Sequence, residues 1–308
     1  MKNLASVALA SLLLLAACGQ KPAETREAPI DGAAAPQSAS GGSAPFAAPG
    51  GTGVAASQPL PLPPGALMLQ RAAIPDPGVI RRGTAMNALI PAGWSTRGGV
   101  VALTVPCAEP YGVDWAAVSP DGLSSVSLFP TETWQWSNSG LNSECRQAGY
   151  ASVRDYLAAR ASATHPGARM LDYRLREDFA RSAADHAARL EQLGRQYGFN
   201  WRVRAEGGEI LFAYQENGVE MRGTMGATAV FHETALENPM GGEALRTLTG
   251  STLGVFAAAA PNGQLDFEVT EAVRRSIAPD PQWLDALFSL KAAIGQTNVE
   301  ATRERAAI

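Results

Sequence analysis

From Gly65 onward the apolar positions fall into short alternating runs punctuated by Gly, Pro, Asn and Asp. Ala85-Met86-Asn87-Ala88-Leu89-Ile90-Pro91 reads as a first strand, and Gly98 to Val105 as a second that closes at Pro106-Cys107. Val113 to Val118 is a third. Ser119-Pro120-Asp121-Gly122 is a turn, since Pro and Gly supply the dihedrals a hairpin needs. Ser124 to Phe129 alternates serine with apolar residues, as a half-buried strand does. Phe129 to Trp136 is expected to leave the sheet, with a polar loop from Ser137 to Glu144 behind it.

The period then changes. Ser152-Val153-Arg154-Asp155 has an N-cap serine followed three residues later by an acid, and predicts a helix carrying Val153, Tyr156 and Leu157 on one face up to His165-Pro166-Gly167. Arg169 to Glu177 reads as a strand. A second helix is predicted from Ser182, where Ala183, Ala187, Leu190, Leu193 and Tyr197 recur every three to four residues, to Gly198. Two strands, Asn200 to Arg204 and Glu209 to Glu216, are expected to be joined across Gly207-Gly208. Asn217-Gly218 is a strong hairpin signal. Val219 to Glu233 and Leu248 to Ala260 follow as strands, the second closed by Pro261-Asn262-Gly263. Val269 to Ile277 and a final stretch holding Trp283, Leu284, Leu287, Phe288, Leu290 and Ile294 read as helices. Short hairpin connections require antiparallel pairing. The chain is therefore predicted to be α+β, a mainly antiparallel sheet of about eight strands with helices packed on it. One globular domain is expected over 65–295, and a polar, helical extension over 296–308. The strand ending Ile90-Pro91-Ala92-Gly93-Trp94 and the helix before Ala278-Pro279-Asp280-Pro281 loosely resemble the Mog1/PsbP-like α/β/α sandwich. That resemblance implies a topology and no activity.

Ahead of this domain the pattern is of another kind. Leu4 to Ala17 is an apolar or small-residue run of 14 positions behind Lys2. As a helix it would be about 21 Å long, too short for a bilayer core of ~30 Å, and it has the length of a signal-peptide core. Its end, Leu15-Ala16-Ala17-Cys18, resembles the lipobox of bacterial lipoproteins. The resemblance implies a signal peptide over 1–17, diacylglycerol alkylation of the Cys18 thiol, and usually acylation of the new amine. It also implies attachment to the membrane through that lipid, with the outer membrane favoured because Gly19 rather than Asp follows the cysteine. The domain would then face the periplasm. Two acyl chains, at ~0.8 kcal/mol per buried methylene, suffice for stable anchoring. Residues 18–64, rich in Ala, Pro, Gly and Ser, cannot bury enough apolar surface to fold and are expected to be a disordered tether with a mean span of roughly 35–40 Å.

Composition narrows the function. Of 308 residues, 46% are hydrophobic and 18% charged, enough for a real core. The net charge is −4, or −5 once Lys2 leaves with the leader, so the footprint of a nucleic-acid binder is missing. With Cys18 lipidated, Cys107 and Cys145 remain. In an oxidising compartment they are expected to form a disulfide unless geometry forbids it, in which case they are two buried thiols.

Chemistry-bearing motifs are sparse. His165, His186 and His232 are dispersed and no CxxC or HExxH is present, so no metal and no cofactor is expected. Gly122-Leu123-Ser124-Ser125 lies in a hairpin, unlike a nucleophile elbow. Gly223-Thr224-Met225-Gly226 and Met240-Gly241-Gly242 lack the lysine of a phosphate loop and read as bulges or tight turns. Arg174, Arg176 and Arg181 alternate with Glu177 and Asp178 and read as a solvated face. The candidate surface is Thr131 to Asn138. Here Trp134 and Trp136 either present flat faces to a sugar ring or a protein partner, or cap the core beside the two cysteines. The expected function is a non-enzymatic binding or scaffold role of an anchored envelope lipoprotein. The alternative is an envelope hydrolase whose Glu, His and Ser are brought together only by the fold.

Overall fold

The computed structural model describes residues 67–107, 109–139, 143–196, 200–237 and 241–306. The expected leader, the Cys18 site and the tether lie outside them.

In chain order the elements are β1 (Leu69–Asp76), β2 (Gly83–Pro91), β3 (Ser95–Ala102), β4 (Tyr111–Val118), β5 (Ser125–Phe129), β6 (Thr133–Ser137) and β7 (Arg146–Gln147), then α1 (Val153–Thr164), β8 (Arg169–Leu175) and α2 (Glu177–Gln196). The long strands β9 (Trp201–Glu216), β10 (Val219–Leu236) and β11 (Leu245–Pro261) follow, then α3 (Phe267–Ser276), β12 (Ala278–Pro279) and α4 (Pro281–Ala306). A nine-stranded sheet runs β3-β4-β5-β11-β10-β9-β8, with β6 beside β11 and β7 beside β6; a three-stranded sheet runs β1-β2-β12. Pairing is antiparallel except between β6 and β7. The fold is α+β, as the pattern predicts.

The large sheet is buried on both faces, and strand periodicity decides which residue goes where. On one face Val153, Tyr156, Leu157 and Ala161 of α1 pack onto Ile210, Phe212, Met225, Phe231 and Val255. On the other, Trp115, Val126, Phe256 and Ala258 meet Ala72, Ile74, Ala88 and Ile90 of the small sheet and Val273 of α3. Neighbouring residues of β10 illustrate the split: Phe231 joins the first core, while Val230 packs under Ala183, Ala187 and Leu190 of α2. Trp283 and Leu287 dock α4 against Ala85 and Val100.

The cap before α1 forms as read. The Asp155 N–H donates to Ser152 Oγ at 3.1 Å, and that hydroxyl donates to Asp155 Oδ2 at 2.8 Å. Elsewhere the structure departs from the pattern. α2 begins at Glu177, not Ser182, with Glu177 and Asp178 in its first turn, where acids complement the helix dipole. Past Gly295, where a helical extension is expected, α4 runs on without a break to Ala306.

Gly207-Gly208 is not a connection but the middle of one continuous strand. A Cβ on Gly207 would lie 2.4 Å from the Arg176 carbonyl oxygen, and one on Gly208 2.7 Å from the Tyr173 ring. Gly223 and Gly226 are likewise in register within β10. Gly223 lies opposite Phe212, and a Cβ there would come within 2.3 Å of that ring. Glycines under aromatic rings let side chains lie flat on a sheet. Gly223→Ala is accordingly expected to destabilise the domain by about 1–3 kcal/mol, the usual range for overpacking. Urea unfolding measures this, and an unchanged midpoint would remove the ring-on-glycine contact from the account.

Candidate functional site

β6 decides the fate of the two tryptophans. Instead of leaving the sheet after Phe129, the chain breaks at Pro130 to Glu132 and rejoins β11 as Thr133–Ser137, paired with Thr247–Ser251. Residues two apart on a strand share a face, yet the pair is divided. Trp134 is 1% exposed. Its ring stacks on Tyr156 of α1 at 5.0 Å and 5°, and its indole N–H donates to the Tyr150 carbonyl at 3.0 Å. Trp136, clear of that stack, is 44% exposed. The two-tryptophan surface is thus corrected to one residue: Trp134 is core, and only Trp136 offers a face to a sugar or a protein. Cys107 and Cys145 form a disulfide with their Cα atoms 5.2 Å apart, tying the β3–β4 connection to the start of β7.

At the break between β5 and β6 the strand is held by Thr252. Its N–H donates to the Glu132 carbonyl at 2.9 Å, and the Glu132 N–H donates to its hydroxyl at 2.8 Å. The β10–β11 register shifts here, leaving Leu253 as an extra, exposed residue. The Glu132 carboxylate takes Arg160 Nη1 of α1 at 2.5 Å and also Arg146 Nη1 of β7. Arg160 in turn covers the Phe129 ring at 4.7 Å. Burial holds the Tyr156 hydroxyl well above the ordinary tyrosine range; the charge of Glu132 adds to this, and Arg160 and Arg146 oppose it. With both oxygens engaged by guanidinium groups, Glu132 joins α1, β6 and β7 rather than serving as a free base.

A second charged cluster surrounds a cleft of about 410 Å³ between the end of β8 and the start of α3, lined by Arg174, Leu175, Arg176, Glu209, Phe267, Thr270 and Glu271. Glu209 Oε2 accepts from Arg174 Nη2 at 2.6 Å and Arg176 Nη1 at 2.7 Å, and Oε1 accepts from the Thr224 hydroxyl at 2.7 Å. Burial acts to raise the Glu209 carboxyl. The Thr224 hydroxyl and the two guanidinium groups outweigh it and hold Glu209 below the ordinary range. Glu271 is kept at about 2, first by the hydrogen bonds from Arg274, working against burial, and then by Arg275. Arg176 also forks onto Asp178 at 2.8 and 2.9 Å and lies 3.9 Å over the Phe179 ring, with Arg274 over the same ring at 4.6 Å. The solvated arginine face expected from the sequence therefore holds for Arg174, 60% exposed, and for exposed Arg181, but not for Arg176, whose side chain is 14% exposed and is the hub of the network. Glu209 and Glu271 escaped the sequence reading because nothing local marks them as partners of Arg176.

The histidines are kept apart. His165 stacks on Tyr214 at 4.0 Å, His232 meets Trp201 edge-on at 4.6 Å, and His186 faces the charges of Arg189 and Lys291. Burial pushes all three below the ordinary value of 6.5. Among the described residues no three His, Cys, Asp or Glu side chains are placed to hold a metal ion. No described helix is long and apolar enough to cross a membrane.

The chain matches no family model, and no curated protein resembles it closely enough to count as a match.

Proposed function

We propose that this protein is a lipid-anchored bacterial envelope lipoprotein whose α+β domain acts by binding, as a receptor or scaffold, at the periplasmic side of the membrane. The observation that carries the reading is the division of labour among its cysteines. Cys18 closes the lipobox-like Leu15-Ala16-Ala17-Cys18. The other two, Cys107 and Cys145, are joined in a disulfide, which persists in oxidising compartments. The residue after Cys18 is Gly19, which favours the outer membrane. Exposed Trp136 and the arginine-lined cleft are the surfaces such a domain would offer a glycan or a protein. Helices on both faces of the large sheet support the likeness to Mog1/PsbP-like domains.

Intact mass of the membrane-extracted protein tests the anchor. The expected mass is that of the chain from Cys18 onward plus acyl chains, with a gain of two hydrogens on reduction; Cys18→Ser is expected to lose the acyl mass and the membrane association. An unacylated chain that keeps its leader would overturn the proposal.

A further inference from the structure

The geometry points to a ligand for the cleft between β8 and α3: a free peptide carboxylate carried next to an apolar side chain. This gives the proposed binding role a ligand class. It rests on that reading only in taking the domain to bind something, and the lipid anchor plays no part in it.

The groups in the cleft are unequally spent. The carboxylates of the cleft are used up. Glu209 takes Arg174 Nε and Nη2 and Arg176 Nη1 on one oxygen and Thr224 on the other. Glu271 takes Arg274 through both nitrogens of its fork, Arg275 Nε and Arg176 Nη2. Its donors are not used up. A guanidinium has five N–H groups; among the described residues Arg174 engages Glu209 alone, through Nε and Nη2, and its side chain is 60% exposed at the mouth. A ligand entering here meets N–H donors and saturated carboxylates, so it has to bring acceptor oxygens. A carboxylate matches the fork of an arginine, which binds it bidentately. The walls add a second requirement. Leu175 is 66% exposed and Phe267 49% exposed, and both line the cleft. Large apolar side chains left open beside a charged network suit an apolar group attached to the anion. A volume of about 410 Å³ lies within the range of small-ligand pockets and accommodates a peptide end of about two residues.

The test is calorimetric titration of the full-length protein with N-acetyl-Leu-Phe bearing a free carboxylate, and with the same dipeptide as its C-terminal amide. The acid is expected to bind and the amide to fail. Arg174→Gln and Phe267→Ala are each expected to weaken the acid by about tenfold. Both variants are expected to fold, because Arg176 keeps Glu209 paired and Phe267 is half exposed. The Arg174 side-chain Nε–H resonance should shift on addition of the acid. Equal binding of acid and amide, indifference to Arg174→Gln, or inorganic phosphate binding as tightly as the dipeptide would each overturn the assignment. Repeating the titration with Cys18→Ser separates the two proposals, since the cleft is expected to bind the dipeptide with or without the anchor.

Discussion

Trp134→Ala is expected to cost about 4 kcal/mol of folding stability, the range for emptying a buried aromatic site, and to lower the melting temperature by roughly 10 °C in a domain of this size. The effect is large because one ring serves four neighbours. It stacks on Tyr156, meets Tyr150 at 5.6 Å and Phe231 at 5.9 Å edge-on, and lies flat on Gly250, where a Cβ would come within 2.3 Å of it. Truncation leaves a void between α1 and the sheet that Gly250 cannot fill, and it orphans the Tyr150 carbonyl that the indole N–H now satisfies. Trp134→Phe, which keeps a ring but loses that donor, should fall between alanine and the parent. Trp136→Ala, at a half-exposed site two residues away, is expected to stay within about 0.5 kcal/mol. Guanidinium unfolding of the three variants with the disulfide intact checks the series. Equal losses at 134 and 136 would contradict the division of the pair into core and surface.

That division marks where the sequence stops being legible. Features written into neighbouring residues are readable. The Ser152 cap forms with Asp155, and Asn217-Gly218 makes its turn with φ of 52° and 80°, the left-handed values that Asn and Gly tolerate. Hairpins follow from such turns, and the α+β class follows from the hairpins. Features that depend on distant register are not readable. β6 exists because Thr133–Ser137 finds an edge of β11 beyond the end of β5, and nothing in Thr-Trp-Gln-Trp-Ser announces which side of that edge α1 will cover. β1 is not readable for a related reason: its inward positions are Ala72, Ile74 and Asp76, too weakly apolar to show a period of two. The cleft is the extreme case. Arg176 meets Glu209 and Glu271 across 33 and 95 positions of chain, and a charge count over residues 174–181 sees only its local neighbours.

Asp76, the inward residue that spoils the pattern of β1, is expected to make the fold sensitive to acid. Its side chain is 2% exposed and fully engaged. Oδ1 accepts the N–H groups of Gly78 and Val79 at 2.7 Å, and Oδ2 accepts those of Ile80 at 3.1 Å and Arg81 at 3.0 Å. Oδ2 also accepts the indole N–H of Trp283, 207 positions on, at 2.8 Å. One carboxylate thereby winds the loop after β1 and fastens the first turn of α4 to it. Burial acts to raise this carboxyl, but the Arg81, Gly78 and Val79 N–H groups and the Trp283 indole prevail and bring it from 3.8 to about 2. The folded chain therefore takes up the proton less readily than the unfolded one. The stabilisation, about 2 kcal/mol, is complete above the unfolded value of 3.8 and is lost as pH falls from there through about 2. Asp76→Ala removes the acceptor at every pH and strands donors from both the loop and α4, so a loss of about 3–4 kcal/mol at neutral pH is expected. Asp76→Asn keeps the shape but has one acceptor oxygen instead of two; it should lose less, and above all it should flatten the acid limb. Urea unfolding from pH 6 down to the acid limit, compared between the parent and Asp76→Asn, reads this directly. If the two stabilities run parallel through the acid range, the carboxylate is not what holds the loop and α4 together, and the Trp283 contact alone would have to account for the docking of that helix.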